Sequence, residues 1–317
     1  MNVLVTGATG FVGTSVINTL AGNSKYSPIA VIRNTENTIP SSIETILIED
    51  FREDNLFDKC LKKIDVVIHT AARVHVMNDK ADNPLAEFRK INVDSTLNFA
   101  RQSAEAGVKR FIFISSIKVN GESTCKNKPF TELDTPLPID PYGISKYETE
   151  KALFLLAKDV EMEIVCIRPP LVYGEGVKAN FLSLMTWLNK NFPLPFGAIN
   201  NKRSLIGLDN LVDLIVICIE HPAASNQVFL ASDDNDLSTT ELLRHVSKSM
   251  EINPLLLPVP QWLLVGILIV LGKKKLAQRL CGSLQIDISK AKTLLGWTPP
   301  ISVDDGLMKT TSSFLRR

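Results

Sequence analysis

The chain has 317 residues, 45% of them hydrophobic, with 35 Lys and Arg against 34 Asp and Glu for a net charge of +1. This length holds one large α/β domain plus a smaller lobe, and the even balance gives no footing for a nucleic-acid partner, so an anionic ligand has to be met by a local site. Five scattered cysteines (Cys60, Cys125, Cys166, Cys218, Cys281) without a C-x-x-C pair suit reduced thiols in a cytoplasm rather than disulfides or zinc.

The apolar run Val3 to Val5 predicts a buried parallel strand over residues 2–6. No signal peptide is expected ahead of it. The turn that follows places Gly7, Gly10 and Gly13 where missing side chains let backbone N–H groups and a helix N-terminus approach a pyrophosphate. The spacing is G-x-x-G-x-x-G rather than G-x-G-x-x-G, and three glycines alone also suit a plain tight turn; their place at the N-terminus favours the dinucleotide reading. Further strands are predicted at 28–33, 45–49, 65–70, 110–115, 163–168 and 227–231, with helices between them. That alternation predicts an α/β fold, a Rossmann-type doubly wound parallel sheet. Two long helices, Pro84 to Ala106 and Tyr142 to Lys158, are expected side by side on one face.

After Arg168 the pattern turns irregular, with Pro193, Pro195, Pro254, Pro258 and Pro260, which marks a smaller, discontinuous C-terminal substrate lobe. The expected division is 1–172 plus 205–232 for the dinucleotide-binding domain and 173–204 plus 233–317 for the lobe that covers the substrate. Within the lobe, Leu255 to Gly272 is strongly apolar and is followed by Lys273-Lys274-Lys275. Its uninterrupted part, Trp262 to Leu271, is half of the ~20 residues that span a bilayer. A buried helix of the lobe is the preferred reading, and peripheral docking on an anionic membrane with the lysines at the headgroups is the alternative.

Tyr142 and Lys146 are four residues apart, so on a helix they share one face and can work on the same substrate atom. A Y-x-x-x-K pair by itself is usually a solvated helix face. Here the strand Phe111 to Ile114 runs into Ser115-Ser116 a short distance upstream, and Ser, Tyr and Lys make a proton-transfer set. The histidines His69, His75, His221 and His245 show no metal-ligand spacing, so no metal is expected, and His69 reads as structural.

These pieces recur in a fixed order: Thr6-Gly-Ala-Thr-Gly-Phe-Val-Gly13, His69-Thr-Ala-Ala72, Asn92-Val-Asp-Ser-Thr96, Ser115-Ser-Ile-Lys-Val-Asn-Gly121 and Pro141-Tyr-Gly-Ile-Ser-Lys146. Arg168-Pro-Pro-Leu-Val-Tyr-Gly174, Arg203-Ser-Leu-Ile-Gly-Leu-Asp209 and Asp287-Ile-Ser-Lys-Ala-Lys-Thr-Leu-Leu-Gly-Trp297 follow. In that order they resemble, over nearly the whole chain, the extended short-chain dehydrogenases/reductases of the nucleotide-sugar epimerase, dehydratase and reductase group. The stretches Ala71 to Met77, Ser115 to Gly121 and Leu230 to Ser238 look most like a branch from bacterial surface-polysaccharide clusters, with UDP-4-keto-6-deoxy-sugar 4-reductases and proteins labelled UDP-sugar 4-epimerases.

The resemblance implies Tyr142 as general acid/base, Lys146 as the residue that lowers its pKa and holds the nicotinamide ribose, and Ser116 as the orienting hydroxyl. An ammonium and a positively charged nicotinamide would together favour phenolate. It implies dinucleotide contacts from Gly7, Thr9, Gly10, Phe11, Val12, Gly13, Arg33, Asp50, Phe51, Thr70, Ala71, Ala72, Asn92, Pro169 and again Tyr142 and Lys146. Arg33 stands where an acidic residue would hold the ribose hydroxyls, which favours NADP(H) over NAD(H); a solvated strand-end arginine is the alternative. Expected substrate contacts are Arg73, Lys118, Asn120, Asn180, Arg203 and Arg279, with Lys118 and Asn120 equally readable as ordinary loop residues.

Two departures bear on the reaction. Ile117 and Lys118 occupy the positions where the family's dehydratases carry Asp-Glu, which argues against a 4,6-dehydratase, and Leu171 replaces the usual Asn of R-P-x-N-V-Y-G. The leading expectation is NADPH-dependent reduction of a UDP-4-keto-6-deoxy-N-acetylhexosamine for surface polysaccharide synthesis. A UDP-glucose or UDP-N-acetylhexosamine 4-epimerase with tightly bound NAD is the alternative. A non-catalytic dinucleotide sensor would need neither Tyr142 nor Lys146. A homodimer through the outer faces of the two long helices is expected, in the cytoplasm.

Overall fold

The strands form where the sequence is apolar on consecutive positions, because helices cover both faces of a parallel sheet and leave no side for water. In chain order they are β1 Asn2–Thr6, β2 Ser27–Ile32, β3 Glu44–Leu47, β4 Val66–His69, β5 Arg110–Ile114, β6 Glu163–Arg168, β7 Leu171–Tyr173, β8 Leu205–Gly207 and β9 Gln227–Leu230. This computed structural model describes residues 1–33, 39–48, 50–52, 61, 63–74, 83–125 and 127–316, apart from the side chains of Ala179 and Asn180. Cys60, His75 and the Asn180 side chain therefore lie outside the described residues. All seven predicted strands join one parallel sheet in the order β3-β2-β1-β4-β5-β6-β9. The pair β7–β8 stands apart as a small second sheet that the sequence pattern did not predict.

Alternation along the strands divides the core into two layers. Val3, Val5, Ile68, Ile112 and Val165 face the layer that holds Val16 and Leu20 of α1 (Phe11–Ala21). Leu4, Val67, Phe111, Phe113 and Ile164 face the other, against Phe99 and Leu153. Those last two belong to the two predicted long helices. The first is not a single α-helix: it runs as α2 (Pro84–Phe88), a π-helical stretch Arg89–Asp94 and α3 (Ser95–Glu105). The second is α4 (Pro141–Leu156).

The remaining helices are α5 Ala179–Asn189, α6 Leu208–Glu220, α7 Thr239–Ser249, α8 Gln261–Val270, α9 Lys274–Cys281, α10 Ser289–Leu295 and α11 Val303–Leu315. Tyr173, Phe181, Met185, Leu243, Val246 and Leu307 make a separate core. Leu284, Ile286, Ala291, Leu295 and Trp297, from the stretch expected in the lobe, pack instead into the layer beneath the sheet. α8 departs from the buried helix preferred from sequence. Only Leu264 is buried, while Trp262 is 75% and Val270 87% exposed. One side of α8 packs on Ile199 and Cys281, and no described element covers the other. No helix among the described residues is long and apolar enough to cross a membrane.

A buried ion pair fastens α4 to the sheet. Arg168, at the end of β6, donates to both Glu150 carboxylate oxygens at 2.5–3.2 Å and from Nη1 to Asn120 Oδ1 at 2.9 Å. Arg168 and Glu150 side chains are 5% and 3% exposed, so removing one partner strands a buried charge. Glu150→Ala should lower the unfolding free energy by about 3–5 kcal/mol, while Glu150→Leu with Arg168→Met should lose less than either single change. Urea denaturation checks both; a Glu150→Ala midpoint equal to that of the wild type would show that the pair does not hold the helix.

His69 lies inside the same layer, with Nδ1 2.9 Å from Thr6 Oγ1, Nε2 3.0 Å from Thr96 Oγ1, and its ring stacked on Phe111. Burial and the Lys146 charge push its pKa down from 6.5 to about 3. Between those values the unfolded chain holds a proton that the folded one does not, so stability falls as pH drops through the window. His69→Asn should flatten that part of the stability–pH curve, as read by denaturation at several pH values.

Candidate active site

Chain order reverses between the neighbouring strands β1 and β4, so the connections leaving their carboxyl ends diverge and open a crevice. The glycine turn after β1 lines it. Gly7 has φ +67°, and a Cβ there would sit 2.7 Å from Thr70 Oγ1 and 2.8 Å from the Ala71 amide. A Cβ on Gly13 would sit 2.1 Å from the Gly7 carbonyl oxygen. Both positions exclude any side chain, whereas Gly10 is exposed and only tight, at 3.0 Å from that oxygen. Gly10 precedes α1 without a side-chain cap, and with exposed Thr9 and half-buried Phe11 and Val12 it leaves a helix N-terminus suited to a pyrophosphate. Across the crevice, Thr70 Oγ1 donates to the Thr6 carbonyl at 2.6 Å, and the Ala71 amide donates to Thr6 Oγ1 at 3.3 Å. This holds the small residues Ala71 and Ala72 against the turn.

Farther along the crevice, Arg33 is exposed just past β2. Asp50, one of the expected dinucleotide contacts, accepts from Arg52 Nε at 2.8 and 2.9 Å, and that guanidinium holds its carboxyl down at about 2. Phe51 packs against His69 and Phe99 at 6.0 and 5.5 Å between ring centroids.

Tyr142 and Lys146 lie on the first turns of α4. Asp140 caps that helix by accepting from the Gly143 amide at 2.7 Å, and Pro141 at the first helical position fixes the entry. Lys146 is buried. Its Nζ donates to the Ile114 carbonyl at 2.7 Å and lies 4.3 Å from the Phe113 ring centroid and 5.9 Å from that of Tyr142. Burial pulls the Lys146 pKa down to about 7, with the Glu150 carboxylate opposing the shift. The Tyr142 phenol is pushed well above its usual range, by burial first and the Asp140 carboxylate second. Ser116 caps the 3-10 turn Ile117–Val119 through the Lys118 amide at 3.3 Å. That turn packs on α4, since a Cβ on Gly143 would meet the Lys118 carbonyl oxygen at 3.0 Å. The Pro169 carbonyl secures the turn by accepting from the Ile117 amide at 3.0 Å.

Several expected ligand contacts are occupied by the protein itself. Asn92, in the π-helical stretch, accepts from the Arg73 amide at 2.8 Å and donates to the Arg73 carbonyl at 3.1 Å and Ser145 Oγ at 3.0 Å. It thereby ties the loop after β4 to α4. Lys118 pairs with Asp140 and, at 3.4 Å, Glu122. Asn120 is buried between Arg168 and the Thr131 carbonyl. The Arg73 guanidinium lies 5.5 Å from the Phe88 ring centroid.

Arg203 is anchored by Nη1, which donates to the Gly282 carbonyl at 3.0 Å, and burial first and the Arg279 charge second press its pKa down. Two nearby cations suit a diphosphate. Two residues that the sequence did not single out also bear on the site. Glu150 continues the Tyr142, Lys146 spacing by one more turn, a signal that was present; Asp140 had only the signal of a cap before Pro141.

A profile of the NAD-dependent epimerase/dehydratase family matches residues 3–231. A Vibrio cholerae UDP-glucose 4-epimerase is 48% identical over 99% of this chain and 96% of its own length. An Escherichia coli O157:H7 N-acetyl-alpha-D-glucosaminyl-diphospho-ditrans,octacis-undecaprenol 4-epimerase is 28% identical over 98% and 94%. Bacillus cereus UDP-glucuronic acid 4-epimerase, solved with NAD, superposes with a TM-score of 0.80 at 23% identity, covering 100% of this chain and 99% of that one. The chain belongs to the NAD-dependent epimerase/dehydratase family, within the nucleotide-sugar group of extended short-chain dehydrogenases/reductases.

Proposed function

We propose that the protein is a C4 epimerase of a UDP-linked hexose or N-acetylhexosamine that works with a retained NAD. The full-length 48% identity to a UDP-glucose 4-epimerase carries this reading and supports it over the 4-keto-sugar reductase first expected. Gly7, Gly10 and Gly13 with the N-terminus of α1 would hold the pyrophosphate, Ala71 and Ala72 would pass the nicotinamide half, and Arg203 with Arg279 would meet the sugar-nucleotide diphosphate. When bound, the nicotinamide supplies hydride acceptance and return at C4.

The chain's own part is a proton at Tyr142 Oη, taken from the C4 hydroxyl and later given back. Burial and Asp140 both raise the Tyr142 pKa, while Lys146, whose Nζ donates to the Ile114 carbonyl, stands 5.9 Å from the Tyr142 ring centroid. The positive charge that would come with an oxidised nucleotide would add to that of Lys146 in favouring the phenolate, so the ionised form would be most populated when the site is loaded. Asn92 and Glu150 are positioning residues in this account.

A second reading keeps one observation of its own: Arg33 stands exposed just past β2, where a guanidinium suits a 2′-phosphate, which favours an NADPH-dependent reductase. Product analysis separates the two. Interconversion of UDP-glucose and UDP-galactose, or of their N-acetyl forms, without added nucleotide supports epimerisation; stoichiometric NADPH loss on a UDP-4-keto-6-deoxy sugar supports reduction.

Tyr142→Phe should lower kcat by roughly 10²–10⁴-fold while leaving dinucleotide affinity nearly unchanged, as read by kinetics and calorimetry. Asp140→Asn retains the helix cap but removes the charge that raises the tyrosine pKa. The acid limb of its kcat/KM profile should move to lower pH, and a move upward would contradict the electrostatic account.

A further inference from the structure

The helical hairpin formed by α8 and α9 carries an apolar surface that no described part of the chain covers. Every residue of α8 except Gln261 and Gly266 is apolar, so the helix has no polar face to offer water. Its exposed side chains are Trp262, Leu263, Ile267, Ile269 and Val270, and Leu271 follows at 61%. Leu255 and Leu257, on the approach to the helix, are also exposed. A helix apolar on all sides persists beside water only where something apolar meets it.

Charge identifies the partner. Gly272, at φ +70°, and a 2.7 Å bond from the Lys273 amide to the Leu268 carbonyl turn the chain sharply at the apolar tip. Lys273, Lys274 and Lys275 follow at once, all exposed. From residue 252 to 286 there is no Asp or Glu, against those three lysines and Arg279. A second copy would bring the same cations to the same face, whereas an anionic lipid surface complements both the apolar and the basic parts. The ten residues of α8 are about 15 Å long, half a bilayer core, so the helix can lie in the interface but not cross it. Trp262, at the far end of α8 from the lysines, is a side chain of the kind that settles at headgroup depth.

We propose that the α8–α9 hairpin docks the protein on the surface of an anionic membrane, with Ile267, Val270 and Leu271 in the acyl boundary and Lys273 to Lys275 at the headgroups. The hairpin is fixed to the body rather than tethered. Gln261 Nε2 donates to the Cys281 carbonyl at 3.0 Å, and Asn201 Nδ2 donates to the Leu280 and Gly282 carbonyls at 3.3 and 2.8 Å. The same Gly282 carbonyl accepts from Arg203, so docking would set the orientation of the expected diphosphate contact relative to the lipid surface. The proposal does not depend on which sugar is turned over.

Cosedimentation of the full chain with vesicles tests it. The wild type should sediment with phosphatidylcholine vesicles containing about one-third phosphatidylglycerol, and far less with phosphatidylcholine alone. Replacing Lys273, Lys274 and Lys275 by Gln should weaken this binding by roughly a hundredfold, and about 0.5 M salt should act in the same direction. Ile267→Asp with Val270→Asp should abolish binding while thermal unfolding stays cooperative at an unlowered midpoint, because both positions already face water. No binding to the anionic vesicles, or binding that survives the aspartates, would overturn the proposal. So would a wild-type oligomer that the aspartates dissociate without any vesicle binding, which would assign the face to a second copy.

Discussion

The contact between Arg168 and Glu150 is the constraint on which the rest of the site rests. It joins the end of a central strand to the helix that carries Tyr142 and Lys146, and through Asn120 it reaches the loop beyond the turn that Ser116 caps. Three segments far apart in sequence are thereby held by one buried guanidinium. The cost of desolvating it is offset because its partner is ionised and equally buried, with a third acceptor on Nη1. The Glu150 carboxylate has a second consequence, since its charge opposes the fall in the Lys146 pKa that burial causes.

The electrostatics of the site run opposite to the first chemical intuition about a Tyr–Lys pair. Proximity of four residues along a helix suggests that the ammonium acts on the phenol, yet Lys146 donates to the backbone of β5, and burial and the carboxylate of the helix cap both raise the Tyr142 pKa. Burial and Asp140 thus keep the phenolate sparsely populated, and the charge of a bound oxidised nucleotide would raise that population. Such an arrangement limits proton transfer in an unloaded site, which suits chemistry in which a keto sugar must not be lost midway.

What the sequence made legible follows from the range of the signals. All seven strands of the main sheet were readable because burial on both faces leaves unbroken apolar runs, and the glycine turn because Gly7 and Gly13 are forced by contacts within a few residues and one neighbouring loop. β7 and β8 were not, since three-residue strands flanked by Pro169-Pro170 and a loop carry no period. The π-helical stretch at Arg89–Asp94 was read as plain helix because one extra residue per turn barely disturbs the apolar spacing. Lys118 and Asn120 could be read equally as sugar contacts or as loop residues, and their partners in the fold lie at Asp140, Thr131 and Arg168, separations that no local pattern encodes. The burial of α8 was misjudged for a related reason: composition says that a helix is apolar, while only the packing of the lobe says that one side is left uncovered.

The central claim is that C4 is oxidised and re-reduced on a nucleotide that never leaves, with Tyr142 moving the proton. The direct measurement is the fate of deuterium placed at C4 of UDP-galactose, followed by mass spectrometry of sugar, solvent and nucleotide during turnover. The account predicts that the UDP-glucose formed keeps the label at C4, with none in water. Label washed into solvent, or appearing in added free nucleotide, would contradict it.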